Sequence, residues 1–125
     1  MTFHVKRSNK YNARKVQIYG IWFDSDMEGK HYLVLRDRER KGEIRDLELQ
    51  PQFKFAIDGR PVLITSAGYP NGRQATFKPD FRYWDEKRKA VVVEDKKSQA
   101  TKTEAYKLRK ALVECIWPGT IIEEV

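Results

Sequence analysis

Only one cysteine, Cys115, and two histidines, His4 and His31, occur in the 125 residues. An internal disulfide is therefore excluded, and one thiol with two scattered imidazoles cannot close a tetrahedral zinc site. His31 follows Glu28 by three residues, but a di-iron centre needs that Glu-x-x-His pair twice, on facing helices. No apolar run approaches the ~20 residues of a membrane span, and the opening Met-Thr-Phe-His-Val-Lys-Arg has no signal-peptide apolar region. The expectation is a cytoplasmic protein with no membrane partner and no small-molecule cofactor. Repeats, low-complexity tracts and interdomain linkers are also missing, so a single domain is expected.

Acids are in deficit, with 18 Asp and Glu against 25 Lys and Arg, a net charge of +7. Such a balance suits a polyanionic partner, and the distribution of the charge matters more than its sum. Residues 1–15 carry Lys6, Arg7, Lys10, Arg14 and Lys15 and no acid, which reads as a basic N-terminal arm before a domain over 16–125. Residues 96–110 carry Lys96, Lys97, Lys102, Lys107, Arg109 and Lys110 against Glu104 alone. Three tryptophans, six tyrosines and six phenylalanines are enough to build a core.

The densest signal lies at Val91-Val92-Val93-Glu94-Asp95-Lys96-Lys97. Consecutive valines favour a buried strand. Alternation then puts Val91, Val93, Asp95 and Lys97 on one face and Val92, Glu94 and Lys96 on the other. A carboxylate and an ammonium side by side at the end of a buried strand suit a metal ligand next to a group that polarises water. Upstream, Phe77-Lys78-Pro79-Asp80-Phe81-Arg82-Tyr83-Trp84 and the charged turn Asp85–Lys89 make a β-hairpin with that strand. Asp80 then converges with Asp95, and two carboxylates at one hairpin end repel unless a cation lies between them. Pro79, lacking an N–H, predicts a break in pairing beside Asp80. A one-residue shift of the strand would make Glu94 and Lys96 the working pair, so these two are the natural controls.

Elsewhere, Val16 to Phe23 reads as two short strands broken at Gly20. Ser25 and Glu28 have capping-box spacing, and Gly42 is a stop, giving a helix over Asp26 to Lys41. Glu28 either caps that helix or, sharing a stripe with Tyr32 and Leu35, serves as a site acid. Its neighbour Gly29, about 1 kcal/mol worse than Ala in a helix, implies a close approach. Residues 44–57 are extended, Asp58-Gly59 is a turn, Val62 to Thr65 is a strand, and 66–74 is a loop in which Tyr69 and Arg73 are candidates for DNA contact. Thr101 and Glu104 cap a second helix over Lys102 to Ile116, with Ala105, Leu108, Leu112, Cys115 and Ile116 as its apolar face. Thr103, Lys107 and Lys110 form a stripe able to hold a phosphate backbone. Thr120 to Ile122 is a last strand.

Pro79-Asp80, then Asp95-Lys96-Lys97, with an acid on an earlier helix, resembles the PD-(D/E)XK nuclease superfamily. In order, Phe23-Asp24-Ser25 leading into Glu28, Leu47 to Phe53, Asp80-Phe81, Val93 to Lys97 and Thr103 to Lys110 resemble a family of small phage-borne, Holliday-junction-resolvase-like endonucleases within it. The likeness covers residues 9 to 125. Ser98 stands where that family tends to have Gly, and the stretch before Asp80 is longer. The resemblance implies an α/β fold with a restriction-endonuclease-like core, helix, three strands, helix, strand, on a mixed sheet flanked by helices. It implies a Mg2+-dependent endodeoxyribonuclease, with Mn2+ able to substitute. Asp80, Asp95, Glu28 and the backbone carbonyl of Lys96 would hold metal, Lys97 would activate water, and Gln50 would lie at the site edge. Lys102, Thr103, Lys107, Lys110, Arg14, Lys15 and Arg73 are the expected DNA contacts. Branched DNA and a homodimer follow by the same analogy, in the host cytoplasm if the chain is phage-encoded. A non-catalytic DNA-binding or packaging accessory protein and an RNA nuclease are the alternatives.

Overall fold

The computed structural model describes residues 3–6, 15–96 and 102–125. Two compact units divide the chain, Met1–Glu43 and Ile44–Val125, a division separate from the arm and domain expected to meet at residue 15.

In the first unit, strands β1 (Phe3–Lys6), β2 (Lys15–Ile18) and β3 (Ile21–Phe23) pair antiparallel, in that order. Part of the expected arm is thus strand, with Phe3 opposite Ile18 and Lys6 opposite Lys15. Tyr19 and Gly20, at φ 52° and 78°, make the two-residue turn between β2 and β3, the positive-φ pair that matches strand twist. Helix α1 (Asp26–Arg40) starts where the Ser25 hydroxyl accepts from the Glu28 amide at 3.1 Å, one residue short of the expected end. It buries Gly29, Tyr32 and Leu35, and these meet Val16, Ile18 and Phe23 in a small core. The close approach implied by Gly29 is to Ile18: a Cβ there would lie 2.8 Å from the Ile18 Cδ1.

The second unit contains β4 (Ile44–Leu49), β5 (Phe53–Lys54), β6 (Ala56–Ile57), β7 (Arg60–Pro61), β8 (Leu63–Ser66), β9 (Tyr69–Gln74), β10 (Thr76–Phe77), β11 (Phe81–Asp85), β12 (Ala90–Asp95), α2 (Glu104–Ile116) and β13 (Ile121–Glu124). Its main sheet runs β13-β12-β11-β4. β4, β11 and β12 form an antiparallel meander, and β13 returns through α2 to lie parallel to β12. The chain is mixed α/β; counting the four strands of this main sheet and leaving out the other nine described strands, α1, β4, β11, β12, α2 and β13 follow in sequence. Between β4 and β11, short hairpins replace an expected loop: 66–74 is mostly strand, with β9 pairing β8. Here Ala67-Gly68 suffices as a turn, so Pro70 and Gly72 lie within an edge strand rather than ending it.

The core of this unit joins Phe53, Phe55, Ala75, Phe77, Val93, Tyr106 and Val113, with Trp117 and Ile122 packed against it. Phe53 and Trp117 meet edge to face at 5.1 Å. α2 begins two residues later than expected, because Thr103 is the cap: its hydroxyl accepts from the Tyr106 amide at 3.2 Å. Thr101 lies outside the described residues. The buried stripe is Tyr106 and Val113, with Leu112 and Ile116 beside it, whereas Ala105, Leu108 and Cys115 are exposed. The helix is turned so that the long Tyr106 ring fills the space against Phe77, at 6.1 Å. Small Ala105 and Cys115 have less area to bury and stay outside.

Asp85 fixes the β11–β12 turn. It is 3% exposed, and its Oδ1 accepts from the amides of Lys87 and Arg88, both at 2.9 Å. The Arg88 guanidinium donates to Oδ2 at 3.1 Å and also pairs with Glu123 on β13. The Arg88 amide, above all, holds the Asp85 carboxyl below the ordinary aspartate range despite burial. Stability from a depressed acid is present above its unfolded pKa and is lost as pH falls through the lower folded value. Asp85→Ala should cost about 3 kcal/mol in urea unfolding at neutral pH, the scale for removing one partner of a buried charged network. The gap between wild type and variant should close as the medium is made acid enough to protonate Asp85.

Candidate metal centre and nucleic-acid surface

The register of the hairpin decides what meets at its open end. Phe81 stands opposite Glu94 and Arg82 opposite Val93, while on the other side Phe81 faces Leu49 and Arg82 faces Glu48. Facing residues share a side of the sheet, so Val93, Arg82 and Glu48 lie on one surface, and Glu94, Phe81 and Leu49 on the other. β10 ends at Phe77 and β11 starts at Phe81, so pairing breaks around Pro79 as expected from its missing donor. Asp80 sits in this gap, one residue before β11.

Three hydrogen bonds, two of its backbone and one of its carboxylate, hold Asp80 there. Its amide donates to the Glu94 carbonyl at 3.1 Å, and its carbonyl accepts from the Gln50 amide at 2.8 Å. Its Oδ2 accepts from the Lys96 amide at 2.8 Å. The Asp80 carboxylate therefore lies over the Asp95–Lys96 peptide, at the end of β12 where Asp95 is 3% exposed. Gln50 closes β4 at φ 46°, a left-handed conformation uncommon for a residue with a side chain. It thus adjoins Asp80 through its backbone.

Glu94 and Lys96 do not share Asp95's surroundings. Glu94 is 3% exposed, and its carboxylate accepts the Tyr83 hydroxyl. Lys96 is exposed, and its amide serves Asp80. Lys97 and Arg14 lie outside the described residues. Glu28 and Lys15 belong to the first unit, Glu28 half-buried in the first turn of α1 and Lys15 opening β2.

On the other flank, β13 sets Glu124 opposite Asp95, and the Val125 amide donates to the Asp95 carbonyl at 2.9 Å. Lys102 and Lys110 both approach Glu124, at 3.4 Å from Oε2 and Oε1 respectively. Burial pushes the Glu124 carboxyl up, but the two ammonium groups outweigh it and hold it below the ordinary glutamate range. The Tyr106 phenol, from α2, is raised by burial and by the negative charge of Asp95 and Glu124, so it keeps its proton. Thr103 spends its hydroxyl acceptor on capping α2. Lys107 pairs with Glu104 at 3.4 Å in solvent. Arg73 lies over the exposed Tyr69 ring at 5.7 Å on the β8–β9 hairpin, away from any of these bonds. Glu124 and Tyr106 were missed from sequence. The parallel register that brings Glu124 beside Asp95 has no local signal, and Tyr106 sits between the two stripes expected of its helix.

Among the described residues, no three histidine, cysteine or acidic side chains are gathered closely enough to hold a metal. Asp80, Asp95 and the Lys96 carbonyl are nonetheless hard oxygen donors at one strand end. Mg2+ typically keeps several waters and takes one or two protein carboxylates, so this set fits it.

An α/β fold with two aspartates at the open end of a sheet hairpin, and Lys102 and Lys110 on the flank of β13, is the class these features define. Residues 8–119 match the family model described as Protein of unknown function (DUF1064), and the chain belongs to that family. No curated protein and no solved structure matches it.

The Glu94–Tyr83 contact yields a stability prediction. Glu94→Ala removes the acceptor of a buried hydroxyl and leaves a void, and should cost about 2 kcal/mol or more in urea unfolding. Glu94→Gln, which keeps volume and an acceptor, should recover most of that loss. Equal stability of the alanine variant and wild type would show that the contact contributes nothing.

Proposed function

We propose that this protein is a metal-dependent endodeoxyribonuclease of the PD-(D/E)XK kind. The observation that carries the reading is the bond from the Lys96 amide to Asp80 Oδ2, which holds one aspartate against the strand end that bears the other. The element order and the basic residues next to β12 support it, and the likeness of Pro79-Asp80 and Asp95-Lys96-Lys97 to the superfamily's motif points the same way. In this reading Asp80, Asp95 and the Lys96 carbonyl would hold Mg2+; Glu28, in the first unit, is a candidate acid on the motif likeness alone. The bound cation supplies Lewis acidity toward a phosphodiester oxygen and lowers the pKa of a water. Asp80 is oriented by the Lys96 amide and Asp95 by its burial in the sheet. By the motif likeness alone, Lys97 would be the residue that stabilises the negative charge developing on the phosphoryl oxygens.

One chain offers one such set, and two coordinated cuts across a duplex or a four-way junction need two chains, which a two-fold dimer supplies. The test is incubation of purified protein with linear, single-stranded and four-way DNA in Mg2+, Mn2+ or chelator, alongside light scattering. Metal-dependent cleavage is the expected result. Metal-independent binding without cleavage of any DNA would instead favour an accessory DNA-binding protein, and cleavage confined to RNA a ribonuclease.

Asp95→Asn should abolish cleavage while leaving DNA binding intact or tighter, since a negative charge is removed with the metal ligand. Lys97→Ala should lose at least about 10²-fold in rate, the usual size of a lost electrostatic or proton-transfer group. Gel assays of binding and single-turnover cleavage on the same variants separate the two effects.

A further inference from the structure

The contact of Lys102 and Lys110 with Glu124 is built like an occupied anion site. Two ammonium groups, one preceding α2 and one from its middle, converge on different oxygens of one carboxylate. A phosphodiester presents two non-bridging oxygens in a similar bridging arrangement. Both N···O distances are 3.4 Å, well beyond the roughly 2.7–2.9 Å of a tight charge-assisted bond and beyond the 2.6 Å that Arg82 makes with Glu48. The lysines are gathered at this point but loosely held.

The position of the clamp matters as much as its make-up. Glu124 pairs across the sheet with Asp95, so the clamp flanks the proposed cleavage site directly. The side chains are 29%, 31% and 25% exposed for Lys102, Lys110 and Glu124, shielded enough for the charges to act strongly and open enough for exchange. The Lys107–Glu104 pair on the same helix differs, at 62% and 92% exposed, and surface pairs of that kind contribute little.

We infer that Lys102 and Lys110 form a subsite for a backbone phosphate of the nucleic-acid substrate, and that Glu124 is its intramolecular occupant, displaced when the substrate binds. This rests on the nuclease reading and adds to it a competitor for the substrate beside the metal ligands. Glu124 keeps the two lysines positioned in the free protein and lowers their attraction for anions that do not reach this corner of the site. Tyr106, which stays protonated between Asp95 and Glu124, lines the same corner.

The test is DNA binding, measured without cleavage in chelator and again in Ca2+, as a function of salt. Glu124→Gln should tighten duplex binding roughly fivefold and steepen the slope of log affinity against log salt by about one unit, because a lysine charge is released to the phosphates. Glu114→Gln removes an exposed acid from α2 and should leave the slope unchanged. Replacing Lys102 and Lys110 by Ala should weaken binding and flatten the slope by one to two units, and in that background Glu124→Gln should do nothing. An equal effect of Glu124→Gln and Glu114→Gln, or persistence of the Glu124 effect without the lysines, would overturn the inference while leaving the nuclease reading intact. Wild-type protein that binds no DNA at any salt would overturn both. The single variant Lys110→Ala, whose loss leaves Lys102 on Glu124, guards against unfolding of the double variant and should lower the slope by about half as much.

Discussion

The bond between the Lys96 amide and the Asp80 carboxylate is the constraint on which the arrangement of the second unit depends. It needs a break between β10 and β11, which Pro79 favours by lacking a donor, while the Asp80 backbone still bonds Glu94 and Gln50. It also needs β12 to run one residue past its last partner, so that an amide beyond Asp95 points across the gap. Asp85 meets the second need from the opposite end of the hairpin, because a turn locked by its carboxylate sets the register of every residue up to Glu94. The placement of Asp80 and Asp95 therefore depends on a turn at the far end of the hairpin, five and ten residues away in sequence.

Burial divides the acids of this region into different kinds of work. Asp85 is sealed and bonded to amides and a guanidinium, and its task is structural. Glu94 is sealed against Tyr83 on the opposite side of the sheet from Val93. Asp95 is equally buried, but alternation puts it beside Glu124 and the α2 tyrosine. Two neighbouring acids, equal in charge and in exposure, thus belong to different surroundings because the side-chain period of a strand is two.

That period is also why much of the hairpin was legible from sequence. Three valines followed by charge, a charged turn and a proline before Asp80 each carry a local signal, and the strands, the pairing break and the meeting of Asp80 with the end of β12 follow from them. Both helices were legible, α1 from its cap and stop and α2 with its end at Ile116 as expected but its start two residues late, because Thr103 is the cap. What sequence did not contain is long-range register. Nothing in Ile121-Ile122-Glu123-Glu124 says which acid will stand beside Asp95. The face of α2 was legible in part: Leu112 and Ile116 pack against the core as expected, while Tyr106 and Val113 are its buried residues and Leu108 is exposed. Residues 66–74, most of which form β9, looked like a loop, because Pro and Gly punctuate an edge strand much as they do a loop.

Net charge is a poor guide to how this protein would meet a polyanion. Lys102, Lys107 and Lys110 look alike in sequence, three bases in one positive stretch. Lys107 pairs with its own helix in open solvent, where screening makes the pair nearly indifferent and the charge remains available to any anion. Lys102 and Lys110 share one partly shielded carboxylate, so at that point the local charge is reduced until something better than a carboxylate arrives. A general basic surface attracts every polyanion, whereas a pair of lysines masked by Glu124 responds to an anion able to compete for both at once. Selectivity of that kind arises from where the acids are placed, and a count of 25 bases against 18 acids does not contain it.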